Sequence, residues 1–143
     1  MMLSLSVGSL RGLRGVQFIN HPENFRADRG TVVGNPFDME CEERRDAVCE
    51  GFKRYLWRIH KGMEPVDAAR IVSNELGLNI SDAWDRPTRQ GFMDAIAYLW
   101  RSAKQQHVTA YCWCAPRRCH VEILIEYVKW LDTNTDAQLE LSL

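Results

Sequence analysis

Three cysteines and a histidine fall within eleven residues, in the stretch AYCWCAPRRCH from Ala110 to His120. Thiolates and imidazole are good ligands for zinc, and a thiol beside basic groups can act as a nucleophile or redox centre. Backbone N–H groups at the start of a helix, with two arginines beside them, can instead bind a phosphate. A turn rich in buried cysteine needs no ligand at all. The residue types alone leave these four interpretations open.

The anion site uses more of the sequence than the other interpretations. Arg117 and Arg118 directly precede the predicted start of the last helix, where the helix dipole favours a negative charge. A second turn, GNPF at residues 34–37, precedes the first predicted helix, and its glycine permits a sharp bend. Its asparagine offers a donor and an acceptor, and its phenylalanine offers a ring for stacking on a base or sugar. The predicted ligand-binding residues are Gly34, Asn35, Phe37, Arg117, Arg118, Cys119 and His120.

The cysteines support two alternatives. In a zinc site the ligands would be Cys112, Cys114, Cys119 and His120, with His21 or His107 as substitutes for the histidine. The spacing CxC-x4-CH differs from that of zinc fingers, so no cofactor is favoured and zinc stays an alternative. In an activated-thiol site the nucleophile would be Cys119, because a helix start, two arginines and a histidine all favour its thiolate. Cys119 and His120 are therefore the candidate catalytic residues, and whether the protein is an enzyme is left open.

The amino-terminal part of the chain predicts strands and turns. Short apolar runs punctuated by glycine and proline predict strands at Leu3–Val7, Gly15–Asn20 and Thr31–Gly34. The segment His21–Arg29 is polar and predicts a loop. A further strand is predicted at 107–112, with alternate residues facing the core.

After Phe37 the apolar residues recur at helical spacing. They predict a first helix ending near Gly62, a second from Pro65 to Gly77, a third from about Thr88 to Lys104, and a last helix after the cysteine segment. The inward residues of the last helix are Val121, Leu124, Ile125, Val128 and Leu131. Cys41, Cys49 and Trp113 are expected to be packing residues.

This order of elements predicts a single α/β domain over residues 1–132, with a small sheet covered by about four helices. Residues 133–143 show no clear pattern and predict a loosely held tail. Ligands of open α/β sheets bind beyond the carboxyl ends of strands, where a strand turns into a helix. The GNPF turn and the cysteine segment are both predicted to occupy such positions.

The two motifs together resemble those of a known protein family. The matching residues are Gly34, Asn35, Pro36 and Phe37, then Cys112, Trp113, Cys114, Pro116, Cys119 and His120. In these residues the chain resembles a family of short uncharacterised proteins of phages and bacteria. Two departures stand out, because Val121 replaces a usual glycine and residues 63–106 look like an inserted helical pair. The resemblance implies a functional site and a phage origin, but no activity.

Composition narrows the class of protein. With 45% hydrophobic residues, 26% charged residues and a net charge of −1, the chain has the composition of a globular domain that does not bind nucleic acid through overall charge. No apolar run approaches membrane-spanning length, and Arg11 and Arg14 follow rather than precede the apolar start. A cytoplasmic protein is expected, in the host cytoplasm if the gene belongs to a phage.

The function favoured by the sequence is the binding of a nucleotide-like phosphorylated ligand at the two turns. If the site is catalytic, the protein also processes that ligand. The rival is a non-enzymatic phage accessory protein that binds a host or phage protein. Its candidate surface is the segment 63–106, with Trp57, Trp84 and Trp100 as the large apolar residues.

Overall fold

A computed structural model describes residues 3–11, 21–113 and 117–134 of the chain. The strands are β1 (Leu5–Ser9), β2 (Asn24–Arg26) and β3 (Val108–Cys112). The helices are α1 (Arg45–His60), α2 (Pro65–Leu76), α3 (Arg89–Gln105) and α4 (His120–Thr133), and a 3-10 helix at Glu42–Arg44 leads into α1. In the described part of the chain no helix is long and apolar enough to cross a membrane.

The three strands form a parallel sheet in the order β1-β3-β2. Leu5 pairs with Val108 on one side of the central strand, and Arg26 pairs with Tyr111 on the other. β3 alternates buried and half-buried residues, as a strand covered on one face should. Because all strands run the same way, their carboxyl ends meet at one edge of the sheet.

Helix α4 joins the layers of the molecule. It contacts the strands β1 and β3 and the helices α1 and α3, while α2 packs on α1. A helix packed against four other elements must be apolar over most of its surface. All five inward residues predicted for this helix are buried.

An aromatic cluster around Tyr55 of α1 fills the core beside these layers. The rings of Phe37, Trp84 and Phe92 meet Tyr55 edge-on, with centroids 6.4, 6.0 and 6.1 Å away. Edge-to-face contacts at these separations are favourable for aromatic pairs. Phe37 thus anchors the GNPF turn to α1 through the core.

The predicted fold class and helices are confirmed. α2 spans Pro65–Leu76, with Gly77 in the left-handed conformation at φ +64° as its carboxyl cap. α3 begins after Thr88, whose hydroxyl accepts the N–H of Gly91. The predicted strand at 107–112 is β3. In each case a capping residue or a clear hydrophobic period marked the element.

The strands predicted in the amino-terminal part of the chain agree less well with the structure. The first strand lies two residues later than predicted, at Leu5–Ser9, and Gly15–Asn20 lies outside the described residues. The strand predicted at Thr31–Gly34 is wrong, because Thr31 and Gly34 donate their N–H groups to turns closed by Asp28 and Thr31. The predicted loop at 21–29 contains β2, a three-residue strand without apolar alternation. Pairing with β3, which the sequence does not display, makes that segment a strand.

Burial corrects several predictions for single residues. Cys49 is buried as expected, but Cys41 is exposed. Trp113 is 52% exposed, so the packing role predicted for it is wrong. Trp84 is only 4% exposed and belongs to the core, which removes it from the surface predicted to bind a partner. Phe92, Ile96 and Leu99 are fully buried, so the segment 63–106 supplies part of the core, and its status as an insertion stays a prediction.

Candidate functional site

A pocket of about 100 Å³ lies beyond the carboxyl ends of β2 and β3, and we call it the sheet-edge pocket. Residues from both sequence motifs line it, namely Asn35, Cys112, Trp113, Cys119 and His120. The other walls come from the turn after β2 (Asp28 and Arg29), from Met39 after the GNPF turn, and from the first turns of α1 (Val48 and Cys49). The structure therefore brings the GNPF turn and the cysteine segment together at the edge where α/β proteins bind ligands.

The GNPF turn is fixed by its own backbone and by the segment that follows α2. A Cβ atom on Gly34 would lie 2.4 Å from the carbonyl oxygen of Arg29, so only glycine fits there. Asn35 Oδ1 accepts the N–H of Phe37 at 3.0 Å. The Pro36 carbonyl accepts the N–H of Ser81 at 2.8 Å. Phe37 is fully buried in the core, so its ring does not face the pocket.

Arg29 joins this turn to the pocket. Its guanidinium donates to the carbonyl oxygen of Asn35 at 3.1 Å and to that of Phe37. Within the described part of the chain, no carboxylate forms an ion pair with it. The side chain is half-buried and lines the pocket. A positive charge is thus held in a fixed orientation at the pocket wall.

The neighbouring carboxylate does not offset that charge. Asp28 accepts two N–H groups from Arg26, at 2.6 and 3.0 Å, in a two-pronged pair. The hydrogen bond to Asp28 raises the pKa of Arg26. Asp28 is 7% exposed, and the pair with Arg26 satisfies its charge. The local charge left over at the pocket is that of Arg29.

Cys112 and Cys119 are in contact with each other at the wall of the pocket. Their sulfur atoms lie 2.8 Å apart, and their side chains are 1% and 2% exposed. Cys119 is the amino-terminal cap of α4, and its sulfur accepts the N–H of Val121 at 3.3 Å. Its own N–H donates to Glu122 Oε2 at 2.9 Å, which completes a capping box. Two N–H groups at the start of α4 are therefore used inside the helix.

His120 ties the first turn of α4 to the end of β2. Its Nε2 donates to the carbonyl oxygen of Ala27 at 2.6 Å. Its ring meets Phe52 edge-on at 4.9 Å, and the residue is 6% exposed. Nε2 must carry the proton in this contact, because a carbonyl oxygen can only accept. These contacts fix the position of the pocket wall.

Arg117 and Arg118 lie outside the pocket, on the exposed surface. Arg117 pairs with Glu42 at 3.3 Å and Arg118 with Asp46 at 2.9 Å. The hydrogen bond to Asp46 raises the pKa of Arg118. Both charges are compensated by acidic residues, one in the 3-10 helix and one in the first turn of α1. The role predicted for these arginines as ligand residues stays a prediction.

Sequence reasoning missed several of the residues that line the pocket, and Arg29 and Trp113 are the two with side chains suited to contact a ligand. Arg29 lies in a polar segment that was interpreted as a loop, and its partners are carbonyl groups six and eight residues ahead. Trp113 was interpreted as packing, although it directly follows a strand that ends at the sheet edge. Residues that directly follow the strands of an α/β sheet lie at the edge where such folds bind ligands, and this position is the signal that was overlooked.

The zinc alternative gains no support from the described residues. Among residues 3–11, 21–113 and 117–134, no group of three or more His, Cys, Asp or Glu side chains is arranged to hold a metal ion. Cys114, one of the four predicted ligands, lies outside the described residues. Zinc binding stays an untested alternative.

Comparison with known proteins identifies a family but no activity. No curated protein and no solved structure matches the chain. One family model matches residues 13–130, which include both motifs and every residue that lines the sheet-edge pocket but not β1. This agrees with the expected membership of an uncharacterised family, while phage origin stays a prediction. The chain belongs to the family described as Domain of unknown function (DUF4326).

Proposed function

We propose that this domain binds a small phosphorylated ligand, of the nucleotide or sugar phosphate class, with its phosphate group in the sheet-edge pocket. Arg29 carries the proposal. Arg29 lines the pocket, two backbone carbonyls hold its guanidinium in place, and no carboxylate of the described chain forms an ion pair with it. A charged group that is oriented but not neutralised by the protein favours an anionic ligand.

The chemistry of arginine favours phosphate among small anions. A guanidinium presents several N–H donors in a planar fork that matches phosphate and carboxylate oxygens. Because the GNPF carbonyls already fix the Arg29 side chain, binding does not have to order it, and less entropy is lost. The family model covers this residue and both turns.

The size of the pocket limits which part of the ligand it encloses. Its volume of about 100 Å³ is well below the roughly 300–1,000 Å³ of pockets that enclose a drug-sized molecule. A phosphate fits inside, and the remainder of a nucleotide would extend past Trp113. Trp113 is half exposed at the pocket wall, so its ring is available to stack on a base or sugar. The proposal concerns binding and assigns no chemical step to Cys119 or His120.

Thermal unfolding tests the proposal with a panel of defined compounds: inorganic phosphate, ribose 5-phosphate, adenosine, and the four ribonucleoside monophosphates. A ligand at about 100 times its Kd stabilises the native state by about 2.7 kcal/mol, which raises Tm by several degrees in a domain of this size. We expect the phosphorylated compounds to raise Tm and adenosine to have little effect. No shift with any phosphorylated compound would contradict the proposal.

Matched arginine variants locate the site. Arg29→Gln removes the pocket charge, and we expect it to weaken phosphate binding at least tenfold by calorimetry. Arg118→Gln removes an exposed, ion-paired charge and should leave the affinity unchanged. Since Arg29 also holds the GNPF turn, Trp113→Ala serves as a second variant that leaves the guanidinium in place. It should weaken nucleotide binding but not inorganic phosphate binding. Loss of binding in Arg118→Gln together with normal binding in Arg29→Gln would contradict the assignment.

A further inference from the structure

We propose that Cys112 and Cys119 form a thiol oxidation site, at which a hydroperoxide converts the two thiols to a disulfide. Their sulfur atoms lie 2.8 Å apart, although the residues belong to different elements, the end of β3 and the cap of α4. Both side chains line the sheet-edge pocket. The inference rests on this pair of thiols and is independent of the ligand proposed above.

Cys119 is the thiol that reacts first. Its sulfur accepts the N–H of Val121 at the amino terminus of α4, and both the hydrogen bond and the helix dipole stabilise a negative charge on it. Cys112 lies at the end of a strand and is in contact with that sulfur. This arrangement provides an attacking thiol and a resolving thiol.

The reaction balances with a hydroperoxide as the oxidant. The Cys119 thiolate attacks one peroxide oxygen and the O–O bond breaks. The remaining oxygen leaves as water or an alcohol, with the proton that the Cys119 thiol gave up. Cys119 is then a sulfenic acid. The Cys112 sulfur attacks the sulfenic sulfur, an S–S bond forms, and the sulfenic oxygen leaves as water with the Cys112 proton. Two thiols lose two electrons in total, and the peroxide gains them.

Access to the thiols suits a small oxidant. Both cysteines are almost fully buried, but the pocket that they line is also lined by Trp113, which is 52% exposed. A space of about 100 Å³ admits hydrogen peroxide but not a bulky reagent. Cys49 lines the same pocket and Cys41 is exposed, so the chain carries its own comparison thiols.

Peptide mapping of the whole protein tests the inference. The chain is treated with hydrogen peroxide, the remaining thiols are alkylated in denaturant, and the product is digested with trypsin without reduction. Cleavage after Lys104 and Arg117 gives a peptide with Cys112, and cleavage after Arg118 and Lys129 gives one with Cys119. We expect these two peptides to appear linked, lighter by two hydrogens than their sum, while Cys41 is recovered alkylated.

Variants assign the link, because Cys114 shares the first peptide. Cys114→Ser should still form it, Cys112→Ser should lose it, and Cys41→Ser should behave as wild type. If Cys112→Ser fails to fold by circular dichroism, fragment ions of the wild-type linked peptide decide between Cys112 and Cys114. Three outcomes would overturn the inference: a link through Cys114 or Cys49, sulfinic acid at Cys119 without a link, or zinc bound at one equivalent that blocks oxidation of both thiols.

Discussion

The side chain of Tyr55 brings a hydroxyl group into the centre of the core. The residue is fully buried, and burial raises the pKa of this phenol, so the group stays protonated over the ordinary pH range. The Trp84 indole N–H lies near enough to interact with it electrostatically but outside hydrogen-bond geometry. The Tyr55 hydroxyl oxygen and the Trp84 indole nitrogen are therefore both buried without a hydrogen-bond partner among the described residues.

Removal of this hydroxyl should cost little. An unsatisfied buried group has already lost its bond to water, so we expect Tyr55→Phe to leave the free energy of unfolding unchanged or slightly higher. The control is Tyr127→Phe, since the Tyr127 hydroxyl is 2.8 Å from His60 Nδ1 and its removal should cost about 1 kcal/mol. Urea denaturation measures both. A loss in Tyr55→Phe as large as that of the control would mean that the hydroxyl has a partner, such as a buried water.

At the scale of the element, the GNPF turn depends on the absence of a side chain at Gly34. A Cβ atom there would meet the backbone of Arg29, with the carbonyl oxygen at 2.4 Å. Backbone cannot move aside as the end of a flexible side chain can. We therefore expect Gly34→Ala to lower the free energy of unfolding by about 2 kcal/mol, within the range for overpacked sites.

Gly30 provides the matched control four residues away. A Cβ atom on Gly30 would meet nothing within 4 Å. Gly30→Ala should therefore change the free energy of unfolding by no more than about 0.5 kcal/mol, as for an ordinary surface substitution. Equal stability of the two variants in urea denaturation would contradict the close approach at Gly34.

The elements differ in how far their sequences predicted them. α2 and α3 carry local start and stop signals, such as Pro65, Gly77 and Thr88, and were predicted closely. β2 has three residues and depends on pairing with β3, more than eighty residues later, so no local pattern marks it. The two turns of the site were predicted from their motifs. Arg29 was not, because its contacts with the GNPF carbonyls exist only after the chain has folded.

For the whole molecule, the arrangement of the layers explains the position of the pocket. The parallel sheet brings the carboxyl ends of β2 and β3 to one edge. The amino-terminal ends of α1 and α4 lie beside that edge. The net charge of −1 gives no general attraction for anions, so the proposed binding of a phosphate depends on the local field of Arg29. An interaction confined to one partly buried charge should weaken only modestly as salt is added.

Nuclear magnetic resonance of the ¹⁵N-labelled protein tests the central claim most directly, through titration with a nucleoside monophosphate. The account predicts shifts in the Arg29 Nε–H and Trp113 indole N–H signals, both from the sheet-edge pocket. The indole signals of Trp57 and Trp130, which line a separate pocket between α1 and α4, should stay unchanged. Shifts confined to those two indoles or to the arginine side chains at 117 and 118, with Arg29 and Trp113 unmoved, would contradict the account.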